Sequence, residues 1–135
     1  GEKPAALSND PETHYGLGVA YREMEMLNDA IAEFQKAARG LGKTHVRFIE
    51  TCSLLACCFE DKGLPLVAAK WYRRAMDSPH LDRDSWLALQ YHLGLVHEQA
   101  GHTGAALDHF LEVYSQNIDY RDVSEKVCHL QQRLD

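Results

Sequence analysis

Apolar positions along the chain recur at the 3.6-residue spacing of α-helices, and no stretch shows the alternation of a β-strand. Seven helical segments follow from this pattern, with short turns between neighbours. Their approximate ranges are 10–24, 30–40, 44–63, 65–76, 84–101, 103–115 and 119–134. The pattern therefore predicts an all-α fold of seven helices.

Capping residues and prolines mark the starts of these segments. Asp10 before Pro11 is typical of an N-cap followed by a proline in the first turn, and Pro65 begins the fourth helix in the same way. The other predicted caps are Asn28 or Asp29, Asp84 or Ser85, Thr103, and Asp119 with Asp122 in a box-like arrangement.

The helical segments repeat with a period of 38 residues. The matched sets are Gly18, Ala56 and Gly94; Ala30, Ala68 and Ala106; Phe34, Tyr72 and Phe110; and Ala37, Ala75 and Val113. A fixed period of this length indicates stacked repeats, none of which can bury its apolar face alone. Small residues at one matched position and aromatic residues at another predict helices that approach closely, with large rings filling the hollows between them.

These residues resemble the tetratricopeptide repeat, a helix–turn–helix unit of about 34 residues. Its pattern matches Leu17-Gly18, Tyr21, Ala30, Phe34 and Ala37; then Leu55-Ala56, Phe59, Gly63, Ala68, Tyr72 and Ala75; then Leu93-Gly94, His97, Gly101, Ala106, Phe110 and Val113. The resemblance covers residues 11–117. The chain departs from it by about four extra residues near 40–47 and 78–85, and by Glu25 where the turn glycine of the first repeat is expected.

The resemblance implies a right-handed α-solenoid of three helix pairs with a C-terminal capping helix. The predicted divisions are a linker or tail at 1–9, repeats at about 10–44, 45–82 and 83–117, and the cap at 118–135. The overall style also resembles bacterial repeat proteins that serve in the assembly of surface or envelope machinery.

In this family the first helix of each pair forms a concave surface that grips an extended peptide or a partner helix. Carried over, the groove residues are Glu12, Tyr15, Val19, Arg22 and Glu23; Glu50, Ser53, Cys57, Glu60 and Asp61; and Ala88, Tyr91, Leu95, Glu98 and Gln99. Lys126, His129 and Arg133 are expected to close the far end.

The groove residues combine two tyrosines with an acidic rim. Tyr15 and Tyr91 are expected to anchor a partner, and the carboxylates to attract its Lys or Arg residues. The hypothesis is a scaffold that binds a basic-and-apolar peptide or helix, and the alternative is that the carboxylates only solvate helix faces. The Lys and Asn clamp of the chaperone-binding subclass is absent, because Tyr15, Val19, Ser53 and Cys57 stand at its positions.

Charge and cysteine content restrict the kind of partner and the compartment. Of 135 residues, 25% are charged and 45% hydrophobic, and the formal net charge is −6, which disfavours nucleic acid. No apolar run is long enough to span a bilayer and no secretory signal is visible, although the chain could be an excised domain. Cys52, Cys57 and Cys58 lie too close together for a disulfide framework, which favours reduced thiols and a cytoplasmic location.

Three other functional classes were weighed against the scaffold. Residues 41–44 resemble the end of a phosphate loop, but Ala38 replaces its first glycine, so we predict no enzyme and no cofactor. Metal or redox sensing would use the cysteines or His97, His102 and His109, although no CxxC or HxxxH pair occurs. Self-assembly is the third possibility, since the outer side of the first helix has no partner unless residues 1–9 cover it.

Overall fold

The computed structural model describes residues 10–134, which form seven α-helices and no strand. In chain order these are α1 Pro11–Glu23, α2 Leu27–Leu41, α3 Phe48–Asp61, α4 Pro65–Ala75, α5 Arg83–Gln99, α6 Thr103–Gln116 and α7 Val123–Leu134. The predicted all-α fold of helix pairs followed by a C-terminal helix is confirmed over this part of the chain. The predicted linker at 1–9 lies outside the described residues.

Some helix starts follow the predicted caps and others do not. Asp10 caps α1, since its Oδ1 accepts a hydrogen bond from the backbone N–H of Glu12 at 3.1 Å. For α5 the cap is Asp82 rather than Asp84 or Ser85, and the N–H of Ser85 donates to its Oδ1 at 2.8 Å. Polar residues are common near helix starts, so composition alone did not identify which one holds the extended N-cap conformation.

Three further predicted caps are wrong. Asn28 and Asp29 lie inside α2 and Thr103 is the first residue of α6; both helices begin without a side-chain cap. The seventh helix begins at Val123 rather than Asp119, because Arg121 adopts a φ of 42° just before it. The predicted start at Asp119 would need an unbroken helical backbone through that residue.

The extra residues of the 38-residue period form loops. Residues 42–47 connect α2 to α3, and residues 76–82 connect α4 to α5. Within the helix pairs the turns are shorter and share one backbone conformation. Gly63 and Gly101 have φ of 78° and 81°, and Glu25 holds the equivalent position with a φ of 59°.

The chain separates into two compact units that divide between Leu81 and Asp82. The first unit contains α1 to α4, and a core cluster there joins Ala30, Ile31 and Phe34 of α2 to Leu55 and Cys58 of α3. The second unit contains α5 to α7. Its core cluster is formed by Leu87, Tyr91, Ala106, Leu107, Phe110, Val113, Val123 and Leu130.

An equivalent side-chain contact lies within the first helix pair and within the third, where it joins the two helices of the pair. His14 Nδ1 lies 2.9 Å from Glu33 Oε2, and His109 Nδ1 lies 2.7 Å from Gln90 Oε1. Both contacts join positions 19 residues apart, so the imidazole and its partner exchange helices between the two pairs. The repeat conserves the contact between the two helices while changing the residues that make it.

Candidate partner-binding cleft

Three helices of the first unit, α1, α2 and α3, enclose a cleft of about 610 Å³. Its lining residues are Tyr15, Val19, Arg22, Glu23, Glu25, Leu27, Phe34, Leu54 and Asp61. The structure therefore brings together Tyr15, Val19, Arg22, Glu23 and Asp61 from the predicted groove. Sequence reasoning missed Glu25, Leu27 and Phe34 because it considered only the first helix of each pair, and it also missed Leu54, which lies on α3.

The cleft has an aromatic and aliphatic floor and an acidic rim. Phe34 is fully buried, and its ring meets the Tyr15 ring edge-on with centroids 6.0 Å apart. Glu23, Glu25 and Asp61 supply three carboxylates against the single guanidinium of Arg22. Because the carboxylates outnumber the cation, the lining of the cleft carries a net negative charge.

Arg22 is the cation of the cleft. Burial raises the pKa of the nearby Cys57 and Cys58 thiols, that of Cys58 to about 11, and the Arg22 guanidinium opposes this rise. The Arg22 Nε is buried without a hydrogen-bond partner among the described residues. A buried donor of this kind is costly to leave unpaired.

A charged cluster centred on Arg47, which precedes α3, adjoins the cleft through Tyr15. The Arg47 guanidinium lies 4.6 Å from the centroid of the Tyr15 ring, and its Nε lies 2.9 Å from Glu12 Oε1. Its Nη1 lies 3.3 Å from Glu50 Oε2, and the Tyr15 hydroxyl donates to Glu50 Oε1 at 2.6 Å. Three predicted groove residues, Glu12, Tyr15 and Glu50, thus already hold a guanidinium of the chain itself.

The remaining predicted residues of α3 turn partly inward. The Tyr72 hydroxyl donates a hydrogen bond to the Glu60 carboxylate, and the Cys57 Sγ lies 3.6 Å from the same hydroxyl. Burial raises the pKa of Glu60, and the bond from Tyr72 opposes that effect. Ser53 is half-buried on the same helix. Glu60 and Cys57 therefore belong to a packed contact between α3 and α4.

In the second unit the structure corrects the prediction of an exposed aromatic anchor at Tyr91. That side chain is only 5% exposed, with its ring centroid 5.5 Å from Phe110 and 5.6 Å from Tyr120. Its hydroxyl donates to Asp122. A side chain covered in this way offers no surface to a partner.

The other predicted residues of the second unit face α7 or solvent. Lys126 Nζ lies 2.9 Å from Glu98 Oε1, and Leu95 packs against the core cluster. Ala88 is half-buried, while Gln99, His129 and Arg133 are exposed. Lys126 and His129 line a hollow of about 220 Å³ with Asp122 and Glu125. The second unit thus has a much smaller opening at the predicted positions than the first.

A metal sensor would need converging ligands, and a nucleotide-binding enzyme would need a phosphate loop between a strand and a helix. Among residues 10–134, no three His, Cys, Asp or Glu side chains converge as metal ligands would. His97 stacks instead on His102 and His109, with ring centroids 5.8 and 5.4 Å apart. Residues 41–44 lie at the end of α2 and in the following loop, not between a strand and a helix. None of the helices in the described range is long and apolar enough to cross a bilayer.

Comparison with known proteins points to one family. Residues 11–39, which contain α1 and most of α2, match the model of the tetratricopeptide repeat. No curated protein sequence matches the chain.

Several solved structures share the fold. MamA is 19% identical with a TM-score of 0.75, and the match covers 93% of this chain and 68% of MamA. YrrB, described as a TPR protein with an unusual peptide-binding site, is 21% identical with a TM-score of 0.73; the match covers 93% of this chain and 61% of YrrB. The TPR domain of Arabidopsis OM64 is 14% identical with a TM-score of 0.70, and the match covers 90% of this chain and 94% of that domain.

The family model covers only the first helix pair, and the helix pairs of α3–α4 and α5–α6 reproduce its matched positions at the 38-residue interval. The fold is similar to that of solved structures described as tetratricopeptide-repeat proteins. The chain thus matches the tetratricopeptide repeat over its first helix pair and shares its fold with solved tetratricopeptide-repeat structures.

Proposed function

We propose that this chain is a non-catalytic protein–protein interaction scaffold, and that the cleft of its first unit binds a partner segment rich in apolar residues and in Lys or Arg. The coarser role is supported by the likeness of its helix pairs to the tetratricopeptide repeat, which is in general an interaction fold without catalysis. The single observation behind the finer role is the cleft itself, an aromatic floor bordered by three carboxylates and one cation.

Two physical effects favour such a segment. Apolar side chains placed against Tyr15 and Val19 would leave water, and aromatic surfaces such as that of Tyr15 dominate the energetics of interfaces. The carboxylates of Glu23, Glu25 and Asp61 would speed the approach of a cation and fix its position more than they add to affinity.

Arg47 supports the choice of a basic partner. Its guanidinium packs against an aromatic ring and contacts two carboxylates, which are the interactions that a partner's arginine would need. YrrB, a protein of the same fold, is described as having a peptide-binding site. That description is consistent with a peptide as the ligand of this cleft.

A peptide-binding experiment tests the proposal. The probe is a fluorescein-labelled 15-residue helical peptide with leucines on one face and flanking arginines, and binding to the chain is followed by fluorescence anisotropy. We expect the double variant Glu23→Lys, Asp61→Lys to weaken binding about tenfold or more, because two attractive charges become repulsive. A peptide with glutamate in place of arginine should bind far more weakly.

A matched control separates the cleft from the net charge of the protein. Asp108→Lys with Glu112→Lys makes the same change of charge on exposed positions of α6, and it should leave the affinity nearly unchanged. Equal losses in the two double variants would mean that the peptide follows overall charge and not the cleft. Wild-type affinity in the cleft variant would contradict the proposal directly.

The net charge of −6 supports a protein partner over a nucleic acid, and the unpaired thiols support a reducing compartment such as the cytoplasm. The protein partner and the reducing compartment are both parts of the proposal. Confocal imaging of the tagged parent protein would check the compartment.

A further inference from the structure

A second hollow in the first unit lies where α2 and α4 end and α3 begins. It has a volume of about 330 Å³, and its lining residues are Ala38, Arg39, Lys43, Phe48, Arg74 and Asp77. We call it the loop hollow, because the loops that follow α2 and α4 contribute to its wall. None of these six residues lines the cleft of the proposed function or belongs to the predicted groove. The loop hollow is therefore a separate opening that the proposed function leaves unused.

The loop hollow is positively charged. Arg39, Lys43 and Arg74 are exposed, and Asp77 is the one carboxylate among its described lining residues. None of the three cations forms an ion pair with a residue in the range 10–134. The Arg74 guanidinium instead lies 4.7 Å from the centroid of the Trp71 ring, a contact that restricts its position. The loop hollow thus concentrates positive charge in a chain whose formal net charge is −6.

The apolar part of the loop hollow is covered. Ala38 and Phe48 are only 5% and 7% exposed, so a ligand would remove little apolar surface from water there. The carbonyl ends of α2 and α4 carry about half an elementary negative charge each, and the start of α3 carries a similar positive charge. Because these partial charges and Asp77 together do not cancel the three cations, a ligand of the loop hollow is expected to be negatively charged.

The loops that shape the loop hollow contain the residues by which this chain exceeds the usual repeat length. Lys43 lies in the loop between α2 and α3, and Asp77 lies in the loop between α4 and α5. His80 of the second loop places its Nε2 2.8 Å from the carbonyl oxygen of Thr44 in the first. This contact joins the two loops beside Lys43.

The cations of the loop hollow are not required by the repeat. Their equivalents 38 residues further along the chain are Asp77, Leu81 and Glu112. The C-termini of α2 and α4 favour Arg39 and Arg74 through the helix dipole, but Lys43 lies outside both helices. Helix packing therefore does not explain why three cations meet at this place.

We propose that the loop hollow binds an acidic segment of a partner protein, whose Asp or Glu carboxylates pair with Arg39, Lys43 and Arg74. A guanidinium can hold a carboxylate by two parallel hydrogen bonds, and such charge-assisted bonds are stronger than neutral ones. Asp77 favours a peptide over a phosphate-bearing ligand, because the backbone N–H groups of a peptide donate to a carboxylate, whereas ionised phosphate oxygens only accept.

The residues at the start of the chain are poorly suited to fill the loop hollow themselves. Residues 1–9 contain one carboxylate, that of Glu2, beside one ammonium group, that of Lys3, and so bring no net negative charge. The loop hollow also differs from the cleft in position and in the sign of its charge. The proposal therefore stands whether or not the cleft binds a basic peptide.

A peptide of defined charge tests the proposal. The probe is a ten-residue peptide of alternating glutamate and serine, labelled with tetramethylrhodamine because fluorescein would add negative charge of its own. Binding to the full chain is followed by fluorescence anisotropy. We expect saturable binding that weakens about tenfold or more in Arg39→Glu with Lys43→Glu, because two attractive charges become repulsive. The affinity should also fall as the salt concentration rises, since exposed charges are screened.

Matched variants separate the loop hollow from the overall charge of the chain. Lys62→Glu with Arg83→Glu makes the same change of charge at exposed cations outside the loop hollow, and it should leave the affinity nearly unchanged. Arg39→Gln with Lys43→Gln removes the two charges without placing carboxylates at the end of α2, and it should weaken binding severalfold. Circular dichroism of each variant verifies its fold. A peptide with glutamine in place of glutamate should not bind.

Four results would overturn the inference. One is failure of the probe to bind the folded chain, and another is an equal loss of affinity in the two charge-reversal variants, since the peptide would then follow overall charge. Binding about tenfold tighter in Glu2→Gln would show that the start of the chain occupies the loop hollow. The fourth is a labelled single-stranded oligonucleotide that binds more tightly than the peptide and loses affinity in Arg39→Glu with Lys43→Glu, which would assign the loop hollow to phosphate.

Discussion

At the scale of single residues, the repeat depends on glycines that let an aromatic ring approach a helix backbone. A Cβ placed on Gly18 would lie 2.6 Å from the Phe34 ring, and one on Gly94 would lie 2.6 Å from the Phe110 ring. Both rings are fully buried and have no room to move aside. The matched small and aromatic positions seen in the sequence thus correspond to direct contacts.

A pair of substitutions on α1 tests this contact. Gly18→Ala should destabilise the chain, because an overpacking cost of about 1–3 kcal/mol exceeds the gain of about 0.5–1 kcal/mol from replacing a helical glycine. Gly16→Ala should stabilise it by that gain alone, since nothing lies within 4 Å of an added Cβ there. Urea unfolding of both variants measures the difference, and equal effects would show that the Phe34 contact is not restrictive.

The turn residue Glu25 departs from the repeat in sequence but not in backbone conformation. Glu25 has a φ of 59°, close to the conformation that Gly63 and Gly101 hold at equivalent positions. The sequence pattern treated Glu25 as a departure from the repeat. The structure keeps the turn because the contacts of α1 and α2 outweigh the modest cost of a left-handed glutamate.

At the scale of helices, the sequence predicted that the helices exist but not always where they begin. Asp82 caps α5, and the hydrogen bonds from Ser85 hold the pKa of its carboxyl below the ordinary value. The predicted caps Asp84 and Ser85 follow Asp82 within three residues, so only the backbone conformation of Asp82 distinguished them.

Replacing this cap provides a test with a defined pH dependence. Asp82→Ala should lower the melting temperature, whereas Thr103→Ala, at a predicted cap that makes no capping bond, should change it little. Because the folded pKa of Asp82 is depressed, its contribution is present above the unfolded pKa of about 3.9 and is lost as pH falls through the folded pKa. Melting curves from pH 7 to pH 2 should therefore converge for the variant and the parent, and a gap that persisted at pH 2 would argue against the carboxylate as the cause.

At the scale of the whole molecule, burial decides which thiols can react. Burial raises the pKa of Cys52 to about 12 and that of Cys58 to about 11, and it also raises that of Cys57. Cys128 is exposed on α7. A thiol reacts as its thiolate, so the three cysteines of α3 are poorly suited to redox sensing.

A thiol count under native conditions checks this conclusion. With a disulfide reagent at pH 8, Cys128 should react rapidly, while Cys52 and Cys58 should react only as the first unit unfolds. Cys128→Ser serves as the control and should remove the rapid phase. Rapid modification of Cys57 or Cys58 in the folded chain would return redox sensing to the candidate functions.

Much of the fold and part of the cleft could be predicted from local patterns. The helical period, the 38-residue register and the small-to-aromatic matching are properties of short segments, and the structure shows the corresponding helix pairs. Five of the nine residues lining the cleft were predicted, all of them on first helices. Leu27 and Phe34 were missed because the second helix contributes to the cleft only once it packs beside α1 and α3.

Tyr15 and Tyr91 show what the sequence alone determined and what it could not determine. They occupy the same repeat position, each meets the aromatic residue of its own second helix edge-on, and each donates to a carboxylate. Sequence determined this shared register because it depends on spacing along the chain. Only the tertiary structure decided that Tyr15 lines a cleft while Tyr91 is buried beside Tyr120 and Phe110, because exposure depends on which distant segment covers a side chain.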